Sequence, residues 1–415
     1  ALLQAGIWSG GEDLPNAYRY VPMKPTHSNM AVVAYYDHHV GGPRFRQYYG
    51  SLFGLPNAVC SFNRFPRFFQ AACRRLAYCM TSMYFDDLTI QDFGIMGGTG
   101  QAFVNDLARC LGSPFQTEKH QSLAAQSDFL GLIHDVAACH QGAPVKFWVR
   151  DRLLTKVTDI MEEAIQTRRL PPGLAAKLFG CLGFLTTGCF GKLGRSGLHS
   201  IKERQYSSQV VMTPEIEQSF DRIRALLQLK PERELPLNPV RQHRYLAASD
   251  AAQERPREGS AGVLFIDPRG SRRAYVVHIS PKIFTVWSHH EAKIAQLELL
   301  TVYMGLAYNA SSVRGMHGIW FVDNIAALMA LIRGRSNNDE LDSMAGAIHG
   351  LLFALRSACY FEWVQSKDNW SDGISRQGEH DPWFQRHDFR LFHTYPLLML
   401  LQLPYHLIAQ VFQFV

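Results

Sequence analysis

The eight cysteines of this sequence (Cys60, Cys73, Cys79, Cys110, Cys139, Cys181, Cys189 and Cys359) include no Cys-x-x-Cys pair and no histidine partner at zinc spacing. That absence argues against a structural zinc site and against a disulfide framework; single, scattered cysteines read as small buried hydrophobes kept reduced. No low-complexity tract and no fixed repeat period occurs, which excludes solenoids and arrays. The basic, apolar and small-residue succession of a signal peptide is also missing, so the expected location is intracellular, in cytoplasm or nucleus. An uninterrupted apolar run of membrane length is lacking too. Leu391 to Val415 comes nearest, but His393, Pro396, Gln402, Pro404, His406 and Gln410 break it, and no membrane partner is expected. The seventeen histidines, including His38-His39 and His289-His290, show no ligand spacing. The chain opens Ala-Leu-Leu-Gln rather than on Met and reads as a piece of something longer.

What is present is the composition of a globular protein: 415 residues, 47% hydrophobic and 19% charged, enough for two or three cores. The formal charge of +6 is unevenly placed, since Val136 to Tyr245 holds 17 Lys/Arg against 10 Asp/Glu. Such a stretch suits phosphate neutralisation as well as it suits a solvated helical surface.

Three stretches carry candidate chemistry in the first half. Tyr84-Phe85-Asp86-Asp87 lies between an apolar run and Leu88-Thr89-Ile90, where a hairpin would turn. Neighbouring side chains alternate across a strand, so two adjacent aspartates converge on one ion only if a tight turn splays them. A hard cation needs such converging oxygens, completed by a carboxylate from elsewhere; the dipeptide alone is equally a solvated turn. Glu12-Asp13-Leu14-Pro15-Asn16-Ala17-Tyr18 puts a carboxylate after a strand with an aromatic five residues on, although a turn or cap aspartate reads the same way. Phe53-Gly54-Leu55-Pro56, continuing to Arg64, is a Gly/Pro turn leading into a helix through Arg75, with room for a nucleotide near the backbone or simply a loop-to-helix junction.

Together these stretches resemble the palm of a reverse transcriptase. Asp13 to Tyr18 is similar to the first carboxylate motif, Gly54 to Phe62 to the glycine-led template and nucleotide motif, and Tyr84 to Asp87 to the Tyr-x-Asp-Asp box. Gly112 to Lys119 and Phe129-Leu130-Gly131-Leu132 resemble the lysine-bearing segment and the primer-grip strand. Val59 stands where the family has proline. The resemblance implies that Asp13 and Asp86 hold two Mg²⁺ ions, with Mn²⁺ as a substitute, and that Asp87 supports the site. It further implies that Tyr18 walls off a ribose 2′-hydroxyl, that Gly54 lies against template or nucleotide, and that Lys119 meets the pyrophosphate. The family's fingers precede the first carboxylate motif, and about a dozen residues precede Asp13 here. Polymerisation unaided by fingers is therefore not expected.

From Ala143 to Leu229 the periodicity predicts helices, Arg150 to Arg168 and Glu215 to Leu229 among them. Leu170-Pro171-Pro172 and Ala175 to Gly197 resemble the thumb and connection of retrotransposon polymerases of the DIRS-like and pararetrovirus-like branches. Lys230 to Pro239 reads as a linker. Beyond it, strands at Tyr245 to Asp250, Gly262 to Ile266 and Ala274 to Ile279 come first, the last two joined by an Asp267-Pro268-Arg269-Gly270 turn. A helix at Glu291 to Leu306, a strand at His317 to Asp323, a helix at Leu341 to Arg356, a strand at Tyr360 to Val364 and a helix opening at Asp372 predict an α/β domain. Asp250, Glu298, Asp323 and Asp372 each have a plain reading as turn, surface or cap acids. Their order and setting resemble ribonuclease H, whose four acids bind two Mg²⁺, and Val364 to Arg376 resembles the segment around the last of them. Asp267 competes with Asp250 for the first place but fits the turn.

The expected fold class is thus α+β and multidomain: a palm (1–135, fingers largely missing), a helical thumb or connection with linker (136–240), a ribonuclease H-like domain with a mixed five-stranded sheet (241–378), and an apolar tail without assigned role (379–415). The resemblance implies a retrotransposon RNA-directed DNA polymerase with ribonuclease H activity, and as partners an RNA template, a DNA primer, an RNA–DNA hybrid and deoxynucleoside triphosphates. A decayed or domesticated non-catalytic nucleic-acid-binding fragment, or ribonuclease H activity alone, is the alternative.

Overall fold

The structure, a computed structural model, describes residues 6–188, 191–228, 232–237, 244–255, 257–285, 287 and 293–394. Cys189, both ends of the expected linker (230–231 and 238–239), His289-His290, the expected helix start at Glu291 and the tail beyond Thr394 lie outside them. The chain divides into two compact units, residues up to Arg150 with Arg233–Leu237, and residues 151–232 with those from 238 onward. Among the described residues no helix is long and apolar enough to cross a membrane.

The first unit runs β1 (Ile7–Asp13), β2 (Val32–Asp37), β3 (Gly42–Gln47), α1 (Pro56–Phe62), α2 (Arg64–Leu76), β4 (Met80–Tyr84), β5 (Asp87–Phe93), α3 (Thr99–Cys110), β6 (Gln121–Ala124), β7 (Gln126–Phe129), β8 (Leu132–Asp135) and β9 (Val145–Val149), with β10 (Arg233–Leu235) added later in the chain. Its central sheet has the order β4-β5-β1-β6, and β10-β9-β8-β7 form a second sheet. Helices α2 and α3 bury Phe69, Cys73, Val104 and Ala108 against Leu88 and Ile90 of β5. Gly10 lets β6 approach β1, since a Cβ there would stand 2.7 Å from the Gln121 carbonyl oxygen. The expected helix through Arg75 is two helices meeting at Asn63. Between Pro22 and Phe53, where the sequence signals no element, β2 and β3 pair as a separate hairpin. Both its faces are largely exposed, so no apolar alternation marks it. Strand β9 also corrects the helical reading of Ala143 onward: Val145, Phe147 and Val149 alternate with Lys146 and Trp148, a period of two rather than 3.6.

The second unit contains α4 (Asp151–Thr167), α5 (Pro172–Gly188), α6 (His199–Arg204), α7 (Pro214–Gln228), β11 (Arg244–Arg255), β12 (Glu258–Ile266), β13 (Arg272–Ile279), α8 (Pro281–Phe284), α9 (Ile294–Tyr308), α10 (Ala310–Val313), β14 (His317–Val322), α11 (Ile325–Arg333), α12 (Asp339–Ala354), β15 (Ala358–Trp363), α13 (Asp372–Gln377), α14 (Pro382–Gln385) and β16 (Arg390–Thr394). Apolar residues at helical spacing (Val157, Ile160, Met161, Ala164) make α4 amphipathic, as its sequence predicts. The sheet is mixed, in the order β15-β14-β11-β12-β13-β16, so it has six strands and not five. The sixth, β16, comes from the expected tail and pairs parallel to β13, where Phe392 stacks on Tyr275. Helix α9 is apolar on every side and buried across the sheet. Gly305 admits the Trp320 ring, whose Nε1 donates to Ser249 Oγ at 2.9 Å, and Gly318 admits Tyr245.

The helices α4–α7 belong to this unit through a buried carboxylate at the start of α12. Asp342 Oδ2 accepts from Ser196 Oγ at 2.9 Å and from the Gly197 amide at 2.8 Å, and its Oδ1 accepts from the Ser336 amide at 2.9 Å. Arg222 of α7 stands 4.0 Å away. A buried acid so satisfied holds three segments together; stripped of those donors it would be a liability.

Candidate functional site

In the first unit the β4–β5 hairpin turns at Phe85-Asp86, with Phe85 in the left-handed region (φ +56°). This leaves Asp87 as the first residue of β5, directly opposite Asp13 at the end of β1, and the Leu14 amide donates to the Asp86 carbonyl at 3.0 Å. Asp13 is buried; its Oδ2 receives the Lys119 ammonium at 2.8 Å, while its Oδ1 is enclosed without a hydrogen-bond partner. Burial pushes the Asp87 carboxyl up to about 6, helped by hydrogen bonding to Asp13 and by the charges of Asp86 and Asp13. The Asp13 carboxylate in turn raises Lys119 above the usual lysine range. Tyr18 sits in a one-turn helix with its ring edge-on to Phe53, Phe62 and Phe85, at 5.0, 5.2 and 6.3 Å, and burial followed by the Asp86 charge raises its hydroxyl. Gly54 precedes α1 at φ +92°, a conformation that favours glycine, and is exposed.

The second unit holds the tighter cluster. Asp250 lies in the middle of β11, opposite Gly262, rather than at a strand end; Glu298 is on α9, and Asp323 immediately follows β14. One carboxylate oxygen from each lies within 4.8 Å of the others, and this is the single group of three potential ligands meeting that criterion among the described residues. They line a cavity of about 400 Å³, together with Asn324, Ser366 and Arg376. Asp250 is 4% exposed and Glu298 1%, so burial pushes Asp250 up to about 6 and raises Glu298 well above the usual range, with neighbouring acids adding to both. Glu298 Oε1 accepts from the Ala251 amide at 3.1 Å; Oε2 is buried with no partner. Asp372 opens α13 and is not part of the trio. Its Oδ1 pairs with Arg376 Nη2 at 2.9 Å, near enough for both to influence Asp250.

Each unit therefore buries an orphaned carboxylate oxygen, Asp13 Oδ1 in one and Glu298 Oε2 in the other. In the second unit, where three acids converge, an enclosed carboxylate oxygen without a proton donor is compatible with an oxygen-preferring divalent cation such as Mg²⁺. The trio could hold such an ion.

Several contributors carry no sequence signal of their own. Ser375 is buried and donates from Oγ to Asp250 Oδ2, and Asn369 Nδ2 donates to the Ser249 carbonyl at 3.1 Å. Gly262 lets α13 come down on β12, because a Cβ there would stand 2.5 Å from Ile374 Cγ2 and 2.8 Å from the Ser375 amide. Asp267, the sequence rival to Asp250, accepts from the Arg269 and Ser271 amides inside the β12–β13 turn.

No family model matches the sequence, and no curated protein does. Among solved structures, the chain is similar to a foamy viral protease-reverse transcriptase in complex with RNA/DNA hybrid, at TM-score 0.43 and 11% identity over 87% of this chain and 45% of that one. It is also similar to the foamy viral protease-reverse transcriptase dRH in complex with ds DNA, at TM-score 0.41 and 12% identity over 86% of this chain and 56% of that one. The chain thus spans about half the length of these structures.

Proposed function

We propose that this chain is a retroelement RNA-directed DNA polymerase with a ribonuclease H site, built for two-metal phosphoryl transfer in both units. The observation that carries the reading is the convergence of Asp250, Glu298 and Asp323 on a cavity with one buried oxygen unpartnered. Asp250, Glu298, Asp323 and, after release from Arg376, Asp372 would hold Mg²⁺ there. In the palm, Asp13 and Asp86 would do so, with Asp87 supporting. When bound, paired Mg²⁺ ions lower the pKa of the attacking water or hydroxyl and neutralise charge on the leaving oxygen. The chain's own contribution is placement. The Ser375 hydroxyl donates to Asp250 and the Ala251 amide donates to Glu298, and these bonds fix the two buried carboxylates before any ion arrives. In the palm, Tyr18, braced by three phenylalanines, is a rigid wall beside the carboxylates and would exclude a 2′-hydroxyl by contact. Lys119 would offer its ammonium to the pyrophosphate, and Gly54 would let template or nucleotide approach.

Ribonuclease H activity without polymerisation is the second reading. It is favoured by one difference: among the described residues the palm acids do not form a group as close as the trio, and an ammonium already engages Asp13. The test is Mg²⁺-dependent cleavage of the labelled RNA strand of a hybrid, beside primer extension on an RNA template. Asp323→Asn keeps the side chain's shape and removes one anionic ligand, so it is expected to abolish cleavage and spare hybrid binding. A folded parent inactive across Mg²⁺ and Mn²⁺ titrations, or an Asp323→Asn variant as fast as the parent, overturns the nuclease. With the fingers restored ahead of Asp13, primer extension in which Tyr18→Ala leaves ribonucleotide incorporation unchanged overturns the role of Tyr18.

A further inference from the structure

Of the described residues that line the acidic cavity, Asp250, Glu298 and Asp323 are anions and Arg376 is the single cation. Among the described residues the ion pair of Arg376 is not with these three. Its Nη2 stands 2.9 Å from Asp372 Oδ1, one turn back on α13, with the guanidinium 59% and the carboxylate 33% exposed. Residues four apart share a helix face, so the pair is set by spacing alone. The backbone at Asp372 is meanwhile tied to the trio. The Ser375 hydroxyl, which donates to Asp250, also lies 2.8 Å from the Asp372 carbonyl oxygen. Burial dominates the raised Asp250 carboxyl, but Asp372 adds to it and Arg376 opposes it, so both ends of the pair act on the trio. What Asp372 has and the trio lacks is a partner, since Glu298 Oε2 is enclosed with none.

We infer that Arg376 is an internal counter-ion that competes with a divalent cation for Asp372, so that the acids of this cavity take up metal in two unequal steps. The inference rests on the metal-binding reading above. Asp250, Glu298 and Asp323 concentrate negative charge around an unpartnered buried oxygen, and a cation taken up there relieves repulsion that no bound partner yet relieves. Asp372 offers less, because a guanidinium already neutralises it. Arg376 carries donors and no acceptor, so it cannot join the ligands of a metal ion; it must leave the carboxylate or stand as a like charge beside the incoming cation. Exposed pairs four residues apart are weak and screened by salt. Arg376 therefore weakens the second step without forbidding it.

The test uses the full chain with Mn²⁺ as the probe, free Mn²⁺ being followed by electron paramagnetic resonance at fixed ionic strength. Ions held elsewhere in the chain cancel when variants are compared. Arg376→Gln is expected to tighten the weaker step by roughly tenfold, the effect of removing one unit charge about 6 Å from a divalent ion in high dielectric. Arg376→Lys keeps the charge and should titrate as the parent. Asp372→Asn should lose the weaker step, and adding Arg376→Gln to it should then leave uptake unchanged. Arg376 is exposed, so melting in EDTA should show every Arg376 variant folded. An Arg376→Gln variant that titrates as the parent, or one that tightens uptake equally in the Asp372→Asn background, overturns the competition. Asp323→Asn separates this outcome from failure of the site itself. If it loses the tighter step while Arg376→Gln titrates as the parent, the metal site stands and the counter-ion falls. If it takes up as much Mn²⁺ as the parent, the metal-binding reading falls and takes this inference with it.

Discussion

Asp13 faces Asp87 across the β1–β5 ladder, and the ammonium of Lys119 is 2.8 Å from the buried partner of this pair. Two hydrogen-bonded carboxylates share a site comfortably only when a cation or a proton relieves them. Lys119 supplies the cation and Asp87, with its carboxyl raised to about 6, supplies the proton at mildly acid pH.

Lys119→Met should therefore destabilise the metal-free protein more at pH 7.5 than at pH 5, where Asp87 carries a proton. Lys119 is half-exposed, so solvent screening keeps the loss to about 1 kcal/mol. Melting temperatures in EDTA at the two pH values decide it, and equal losses would show that the ammonium does not relieve this pair.

Asp250 gives the corresponding sign in the second unit. Its folded pKa of about 6 lies above the ordinary value of 3.8, so the folded state holds this proton more tightly than the unfolded state. The stability it contributes is present below about pH 4 and lost as pH rises through about 6. In EDTA, Asp250→Asn should then melt increasingly above the parent between pH 4 and pH 7, by a few degrees at the upper end. Adding Mg²⁺ at pH 7 should raise the parent and not the variant. A pH-independent difference between them would mean that Asp250 does not titrate in this range.

Gly262→Ala tests the descent of α13 onto the sheet. The added methyl meets Ile374, the Ser375 amide and, at 3.1 Å, the Ser371 carbonyl oxygen, none of which is the end of a long flexible chain. Overpacking of this kind costs about 1–3 kcal/mol. Because Ser375 holds Asp250, hybrid cleavage should fall further than stability alone explains. Full cleavage by the folded variant would show that Ser375 does not position the acid.

The parts legible in the sequence were those whose cause is local. The apolar run before Tyr84, the doubled aspartate and Leu88-Thr89-Ile90 spell a hairpin, and the expected helix from Glu291 to Leu306 overlaps α9 with Glu298 inside it, although its burial was not foreseen. What was not legible depends on distant partners. The bond from Ser375 to Asp250 spans 125 residues, and nothing in the hydroxyl reveals it. Strand β16 is a five-residue parallel edge with no turn signal beside it, and the β2–β3 hairpin buries neither face, so neither leaves a periodic trace. Asp342 falls at the start of the helix expected from Leu341 to Arg356 and carries no signal of its own; only the fold shows that it gathers loops from the preceding helices.

That carboxylate also bears on how such a chain can be inherited. A crossover that joined residues 244 onward to a foreign partner would carry Asp342 away from Ser196, Gly197 and Arg222, leaving an ion enclosed with one of its donors, the Ser336 amide, and no cation near it. Loss of partners around a buried charge costs about 3–5 kcal/mol, a large share of a domain's whole stability. Exchange at the Arg150–Asp151 junction keeps every one of those donors with its acceptor. Natural recombinants and engineered chimaeras should accordingly keep α4–α7 with the sheet that follows, and breakpoints should be selected against between α7 and β11.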